Sequence, residues 1–487
     1  MNAAEKQDYV DVLIVGAGLS GIGAACYLQQ RCPDRSFALL EARERMGGTW
    51  DLFRYPGIRS DSDMFTLGYA FKPWTNPKSI ADGPSILSYI KETATEYGVE
   101  GHIRYNQRVK SASWDSATAR WTVLVQQGAQ GGTREISCNF LYSCSGYYSY
   151  DNPYVPEFEG QDDFKGALFH AQHWPEDLDY KGKKVVVIGS GATAVTVVPE
   201  VSKEAAQTIM LQRSPTYLAS VPEKDQMAIS MRKWLPETFV YHFTRWKKVL
   251  QQMIVFNLAR SRPAMMNKLL LGMVRKELGP DYDVESHFTP RYNVWDERLC
   301  AVPDSDMFIA LREKRAEVVT DQIDRFTANG ILLQSGRELE ADIIVLATGL
   351  NLVYMGAMEL TVDGQAIDPS EHFVYRGMML SDVPNLAQAF GYTNSSWTLK
   401  ADLTAEYVCR MLNHMRKTGT SAAIPVFAPG SVTEEPMLDF TSGYVQRAMD
   451  EFPKQGTKTP WRVYQNYFKD LFSLRFSSLT KTALKFR

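Results

Sequence analysis

Gly16, Gly18 and Gly21 stand in GxGxxG spacing, directly after the apolar run Val12–Val15 and just before the helix-forming stretch Ala24–Arg31. In that context each glycine has its own role, namely a tight turn, close approach of the backbone to a diphosphate, and close helix–strand packing. The helix N-terminus then offers N–H groups and the positive end of its dipole to the diphosphate. Twenty residues past Gly21, after the run Phe37–Leu40, Glu41 places a carboxylate where the hydroxyls of an adenosine ribose are held. The arrangement recurs at Lys183–Ala194, where an apolar run leads into Gly189, Ser190, Gly191, Ala192, Thr193 and Ala194, with alanine at the third fingerprint position. Nineteen residues on, the acid is replaced by Arg213, followed by Ser214. A guanidinium there matches a 2′-phosphate with paired hydrogen bonds. The first loop reads as an FAD site and the second as an NADPH site; a solvated surface arginine is the other reading of Arg213.

Both loops need a buried parallel strand in front of them and a helix behind, and the continuous apolar runs supply the strands. Two more runs, Phe140–Gly146 and Ile343–Gly349, end in glycine and carry the chain out of one nucleotide fold towards the other. The expected class is therefore α/β: two Rossmann-like dinucleotide-binding domains with a helical insertion in the NADPH domain. The boundaries expected are 1–148 with 385–487 for FAD, 149–218 with 297–384 for NADPH, and 219–296 for the insertion. A chain of 487 residues has room for them, at roughly one domain per 150 residues. Its net charge of −3 gives no general attraction to nucleic acid. The six cysteines show no CxxC pair, His170 and His173 lack companions for a metal site, and no apolar stretch is long enough to span a membrane. The N-terminus runs from polar residues into a strand without a signal segment, so a cytoplasmic enzyme is expected.

Between the two nucleotide loops, Phe164, Gly166, His170, Trp174 and Pro175 fit FxGxxxHxxxW(P/D) at every specified position. A second motif, Gly47-Gly48-Thr49-Trp50 followed by Tyr55-Pro56-Gly57 and Asp61, completes GGxWxxxxYPGxxxD. On these motifs the chain resembles the type I Baeyer–Villiger monooxygenases, which are class B flavoproteins. The stretches YPGIRSDSDMFTLGY and HWPEDLDYKGKKVVVIGSGATA are similar to the ethionamide-activating subgroup. The resemblance implies an enzyme that uses FAD, NADPH and O2 to insert oxygen beside a ketone carbonyl through a C4a-peroxyflavin, giving an ester or lactone, and that oxidises sulfides to sulfoxides. By the same resemblance Ser20, Thr49, Trp50, Asp61 and the backbone at Val109 touch FAD. Arg59, Ser60, the loop from Gly189 to Ala194, Gln212, Arg213 and Ser214 touch NADP.

Arg298 corresponds to the family's active-site arginine, with Asp61 as its orienting carboxylate, and Glu297 stands where relatives carry a lysine. Without the resemblance, Asp61 reads as a turn acceptor and Arg298 as a helix-surface ion pair. The implied substrate is a small apolar ketone or sulfide. Two rivals stand beside this reading: a flavin-containing monooxygenase specialised for sulfur or nitrogen, and a non-catalytic flavin-binding protein. His170 reads as a hinge or packing residue, and Trp397 as either a pocket wall or a core aromatic. The segment Met231–Glu277 carries ten Lys/Arg against two Glu and has a helical pattern rich in Trp, Met and Leu. It reads first as a helical excursion packed on its own enzyme and second as a membrane-surface element. The tail Lys469–Arg487 has the composition of another amphipathic helix.

Overall fold

A computed structural model describes residues 8–487 except 129, 298 and 439. The strand Asp8–Val15 lies between Phe37–Leu40 and Thr133–Ser143, parallel to both, in a nine-stranded sheet. Its apolar residues are covered on both faces, on one side by the helices Leu19–Arg31 and Trp397–Thr418. The second sheet is five-stranded and wholly parallel, in the order Ala316–Thr320, Gln207–Gln212, Lys184–Ile188, Ile343–Leu346, Ala167–His170. In both sheets the strand feeding a glycine loop sits where the order of connection reverses, which opens a crevice at the strand ends.

The two loops share one backbone solution. Gly16 (φ +103°) and Gly189 (φ +144°) have left-handed backbone, and a Cβ at either would lie 2.6 Å from Cys144 O or 2.3 Å from Ala347 O. The turn therefore closes against the neighbouring exit strand only with glycine.

The sheets place the chain's return ahead of residue 385. Glu359–Val362 pairs in parallel with Gln107–Asp115, and Gln365–Ile367 pairs with Glu359–Val362, so both belong to the first sheet. Leu386–Gln388 then completes that sheet beside Thr133–Ser143. A short strand such as ELTV carries no mark of its partner, so the crossing point was not visible in the sequence.

The helices Glu237–Ser261 and Pro263–Leu278 fall between the second sheet's strands, separated at Pro263, which begins the second helix. The longer one leaves its own unit and packs on Met64–Leu67 of the first. Arg245 fixes that contact: its guanidinium donates to Phe65 O (2.8 Å) and Gly68 O (2.7 Å), and to the buried Asp402 carboxylate at 3.2 Å.

The tail is not the single helix its composition suggested. It has a helix at Tyr467–Leu471, a wide turn at Phe472–Phe476, and a strand at Leu484–Phe486 paired with Ala423–Pro425. Arg376 binds Ser473 O (2.7 Å), and Arg410 binds Leu474 O and Ser477 O (2.5 and 2.7 Å). These arginines take up carbonyls that a continuing helix would use for its own N–H groups.

Candidate functional site

One cavity of about 1180 Å³ lies between the strand ends of the two sheets. From the first sheet Gly16, Gly18, Ser20 and Glu41 line it. The motif that follows brings Gly48, Thr49, Trp50 and Tyr55, then Arg59, Ser60 and Asp61, while Val109 approaches from a neighbouring strand. From the second sheet come Gly189, Ser190, Gly191, Ala192 and Thr193, with Arg213 and Ser214 at the rim.

Three residues of the expected nucleotide-binding set stay out of this lining. Gly21 is a packing glycine, since a Cβ there would lie 1.9 Å from Gly16 O. Ala194 is buried inside its helix. Gln212 is turned away into the protein, where its amide donates to His287 O (2.8 Å) and to the Thr320 hydroxyl (2.9 Å). The strand that ends at Gln212 alternates its side chains across the sheet, and this one meets a neighbouring strand and the insertion instead of the crevice. Arg298 lies outside the described residues; Glu297 and Cys300 on either side of it line the cavity.

The residues present fit a dinucleotide at each loop. A Cβ on Gly48 would lie 3.1 Å from Gly18 Cα, so two glycine backbones form one narrow wall of the first site. A Cβ on Gly191 would meet nothing within 4 Å, which leaves open space at the start of the helix Ala192–Val201, a position that suits a diphosphate. Glu41 accepts from the N–H groups of Ala17 (2.9 Å) and Arg43 (3.0 Å), which pin its carboxylate at the cavity edge. Burial pushes that carboxyl up, and the two N–H groups oppose the rise. Arg59 is held by Asp306, and its Nε is buried without a partner. A buried N–H of that kind suits an anionic ligand.

In the Ser-Asp-Ser-Asp stretch Ser60 and Asp63 have local roles. Ser60 Oγ accepts from Ser62 N–H (3.0 Å), and Asp63 caps the helix Met64–Leu67 through Thr66 N–H (3.2 Å). Asp61 itself lines the cavity close to Tyr55, whose phenol is pushed up chiefly by burial and secondarily by this carboxylate. Across the cavity burial pushes the Glu297 carboxyl up, Asp296 adds to the rise, and Arg213 opposes it.

Trp397 satisfies both of its readings. It lines the cavity, stacks on Tyr147 at 5.1 Å, and donates its indole N–H to Ser20 Oγ (2.7 Å). His170 donates from Nε2 to Gly349 O (3.0 Å) and accepts Gln172 N–H at Nδ1 (3.1 Å), so it is neutral and ties the linker to the second exit strand. Burial lowers it to about 4. The sequence did not reveal Tyr392, whose hydroxyl donates to Asp470 (2.8 Å), or Arg447, whose guanidinium lies 3.5 Å over the Tyr154 ring. Both line the cavity but come from segments without a motif.

Comparison with known proteins agrees with this geometry. Residues 76–366 match the family described as flavin-binding monooxygenase-like, and residues 14–74 match an NAD(P)-binding Rossmann-like domain. The chain is 54% identical to the FAD-containing monooxygenase EthA of Mycobacterium tuberculosis (strain ATCC 25618 / H37Rv), over 98% of each chain. It is 48% identical to the probable FAD-binding monooxygenase AlmA of Acinetobacter baylyi, over 99% of this chain and 96% of the other. Among solved structures, an oxidised steroid monooxygenase bound to NADP superposes with a TM-score of 0.73 at 23% identity, covering 86% of this chain and 88% of that one. Cyclohexanone monooxygenase from Rhodococcus sp. Phi1 bound to NADP+ gives 0.72 at 19% identity, covering 87% of each. The resemblance drawn from the linker and the GGxW motif is thus borne out: the chain is an enzyme belonging to the flavin-binding monooxygenase-like family, among its FAD-containing monooxygenases.

Proposed function

We propose that the protein is an NADPH-dependent Baeyer–Villiger monooxygenase that converts a small apolar ketone, NADPH, O2 and a proton into an ester or lactone, NADP+ and water, and that also oxygenates sulfides. The observation that carries this reading is the convergence of both glycine loops, Asp61 and Glu297 on one cavity. The nine-stranded sheet, including its strands at 359–367 and 386–388, would carry FAD and the five-stranded sheet NADPH. Bound NADPH would supply the electrons, and bound FAD the activation of dioxygen.

The chain's own residues do the rest. Gly18 and Gly48 admit one diphosphate and Gly191 the other, with Glu41 on the first adenosine ribose. Arg213 recognises the 2′-phosphate, and the buried Nε of Arg59 adds a donor on the nicotinamide side. Trp50, Tyr147 and Trp397 wall the reacting centre and keep water out. Arg298, next to the cavity-lining Glu297, stabilises the oxyanion that develops on the attacked carbonyl. A donor to such an oxyanion is worth about 3–4 kcal/mol. Asp61 orients it.

Replacing Arg298 with Ala tests the assignment. The variant keeps the rate at which NADPH bleaches the flavin without air and loses ketone oxygenation by a factor of roughly 100 or more. Ketone oxygenation at the wild-type rate would instead favour the sulfur- or nitrogen-specialised monooxygenase. A yellow protein that NADPH does not bleach would indicate a binding module.

A further inference from the structure

We propose that the face built from the helix Glu237–Ser261 and the turn Phe472–Phe476 docks on an anionic lipid surface. Along the helix, Phe239, Phe243, Trp246, Leu250 and Ile254 recur every three or four residues and all stay exposed, Ile254 by 63%. Such spacing makes one continuous stripe. The opposite side of the helix, with Val240, Tyr241, Arg245 and Val249, is buried against the first unit. Phe472 and Phe476, 63% and 68% exposed, follow four and eight residues after Phe468, whose ring stacks on Trp246 at 6.0 Å and so ties this turn to the stripe. Just ahead of the helix Trp234 is 87% exposed. An apolar face of this extent marks an interaction surface.

Charge identifies what covers it. Segment 231–277 has ten basic residues against two acidic ones in a chain whose net charge is −3, so the remainder is acidic and the excess of cations is local. Arg232, Arg245, Lys247 and Lys248 are committed to ion pairs with Glu237, Asp402 and Asp225. Lys233, Arg262, Lys268 and Lys276 are exposed and have no ion pair among the described residues. A second copy of the chain would bring like charges together across the contact, whereas phosphates of an anionic bilayer complement them. Lys233 adjoins the exposed Trp234 and Lys268 the exposed Leu269, and apolar side chains next to lysines are the combination that settles between headgroups and acyl chains. No helix among the described residues is long and apolar enough to cross a membrane, so the helix lies on the surface.

Sedimentation of the full-length, FAD-loaded protein with vesicles tests the inference. Vesicles of phosphatidylcholine with added phosphatidylglycerol should bind roughly tenfold more protein than phosphatidylcholine alone, and salt should weaken the binding. A Phe239→Ser/Phe243→Ser/Ile254→Ser variant and a Lys233→Glu/Lys268→Glu/Lys276→Glu variant should each lose that gain. Flavin absorbance and NADPH oxidation in solution should stay at the wild-type level in both. Absence of binding to the anionic vesicles, or wild-type binding by either variant, overturns the proposal. So does a dimer that the serine variant dissociates while neither protein binds vesicles, a result that would assign the face to a second copy.

Discussion

At the residue scale the charges divide into those that hold the site and those that meet a ligand. His170 belongs to the first kind. Its folded-state value of about 4 lies below the unfolded 6.5, so the unfolded chain binds more protons between these values and the stability His170 contributes is lost as pH falls through that window. The stability gap between wild type and His170→Gln should narrow by up to about 3 kcal/mol from pH 7 to pH 4 in chemical denaturation, because one pKa unit corresponds to roughly 1.4 kcal/mol. A constant gap would contradict the buried neutral ring. Arg213 is the proposed example of the second kind: Arg213→Ala should reduce the preference for NADPH over NADH by roughly 10- to 100-fold in kcat/KM, the worth of a charge-assisted pair, while leaving thermal stability unchanged. An unaltered preference would place 2′-phosphate recognition elsewhere.

At the element scale the two glycine loops are alike in backbone and differ in what a methyl group would meet. Gly191→Ala enters open space, so it should fold as wild type while NADP+ affinity measured by calorimetry falls roughly tenfold, or about 1.4 kcal/mol. Gly21→Ala meets Gly16 O and should destabilise the first fold before any ligand is added. These loops were legible in the sequence because their constraint is local: a buried strand, a turn and a helix within a dozen residues. The crossing at Glu359–Val362, the broken tail, the inward turn of Gln212 and the cavity roles of Tyr392 and Arg447 were not, because long-range contacts decide each of them. The same applies to the insertion, whose helical pattern was plain while its anchor was hidden. Arg245 reaches three backbone carbonyls and Asp402 in the other unit. Removing one partner of a buried pair costs about 3–5 kcal/mol. Arg245→Leu should therefore lower the melting temperature and open residues 231–278 to limited proteolysis, whereas a wild-type cleavage pattern would show that the anchor is dispensable.

At the scale of the whole molecule, two sheets present their strand ends to one cavity, and His170 and Gln172 fasten the linker to Gly349 and Ser149. The insertion helix spans the junction. Its outer side carries the apolar stripe, and its inner side, with Val249 and Met253, borders a small recess shared with Tyr392 and Ser395 of the main cavity. The proposed function requires this shared cavity to couple NADPH oxidation to oxygen insertion next to a carbonyl. Its most direct test is product analysis by mass spectrometry after turnover of a ketone with NADPH under isotopically labelled dioxygen. The expected result is an ester or lactone carrying one labelled oxygen atom for each NADPH consumed. NADPH consumed with release of labelled hydrogen peroxide and no ester, across cyclic, linear and aryl ketones alike, would contradict it.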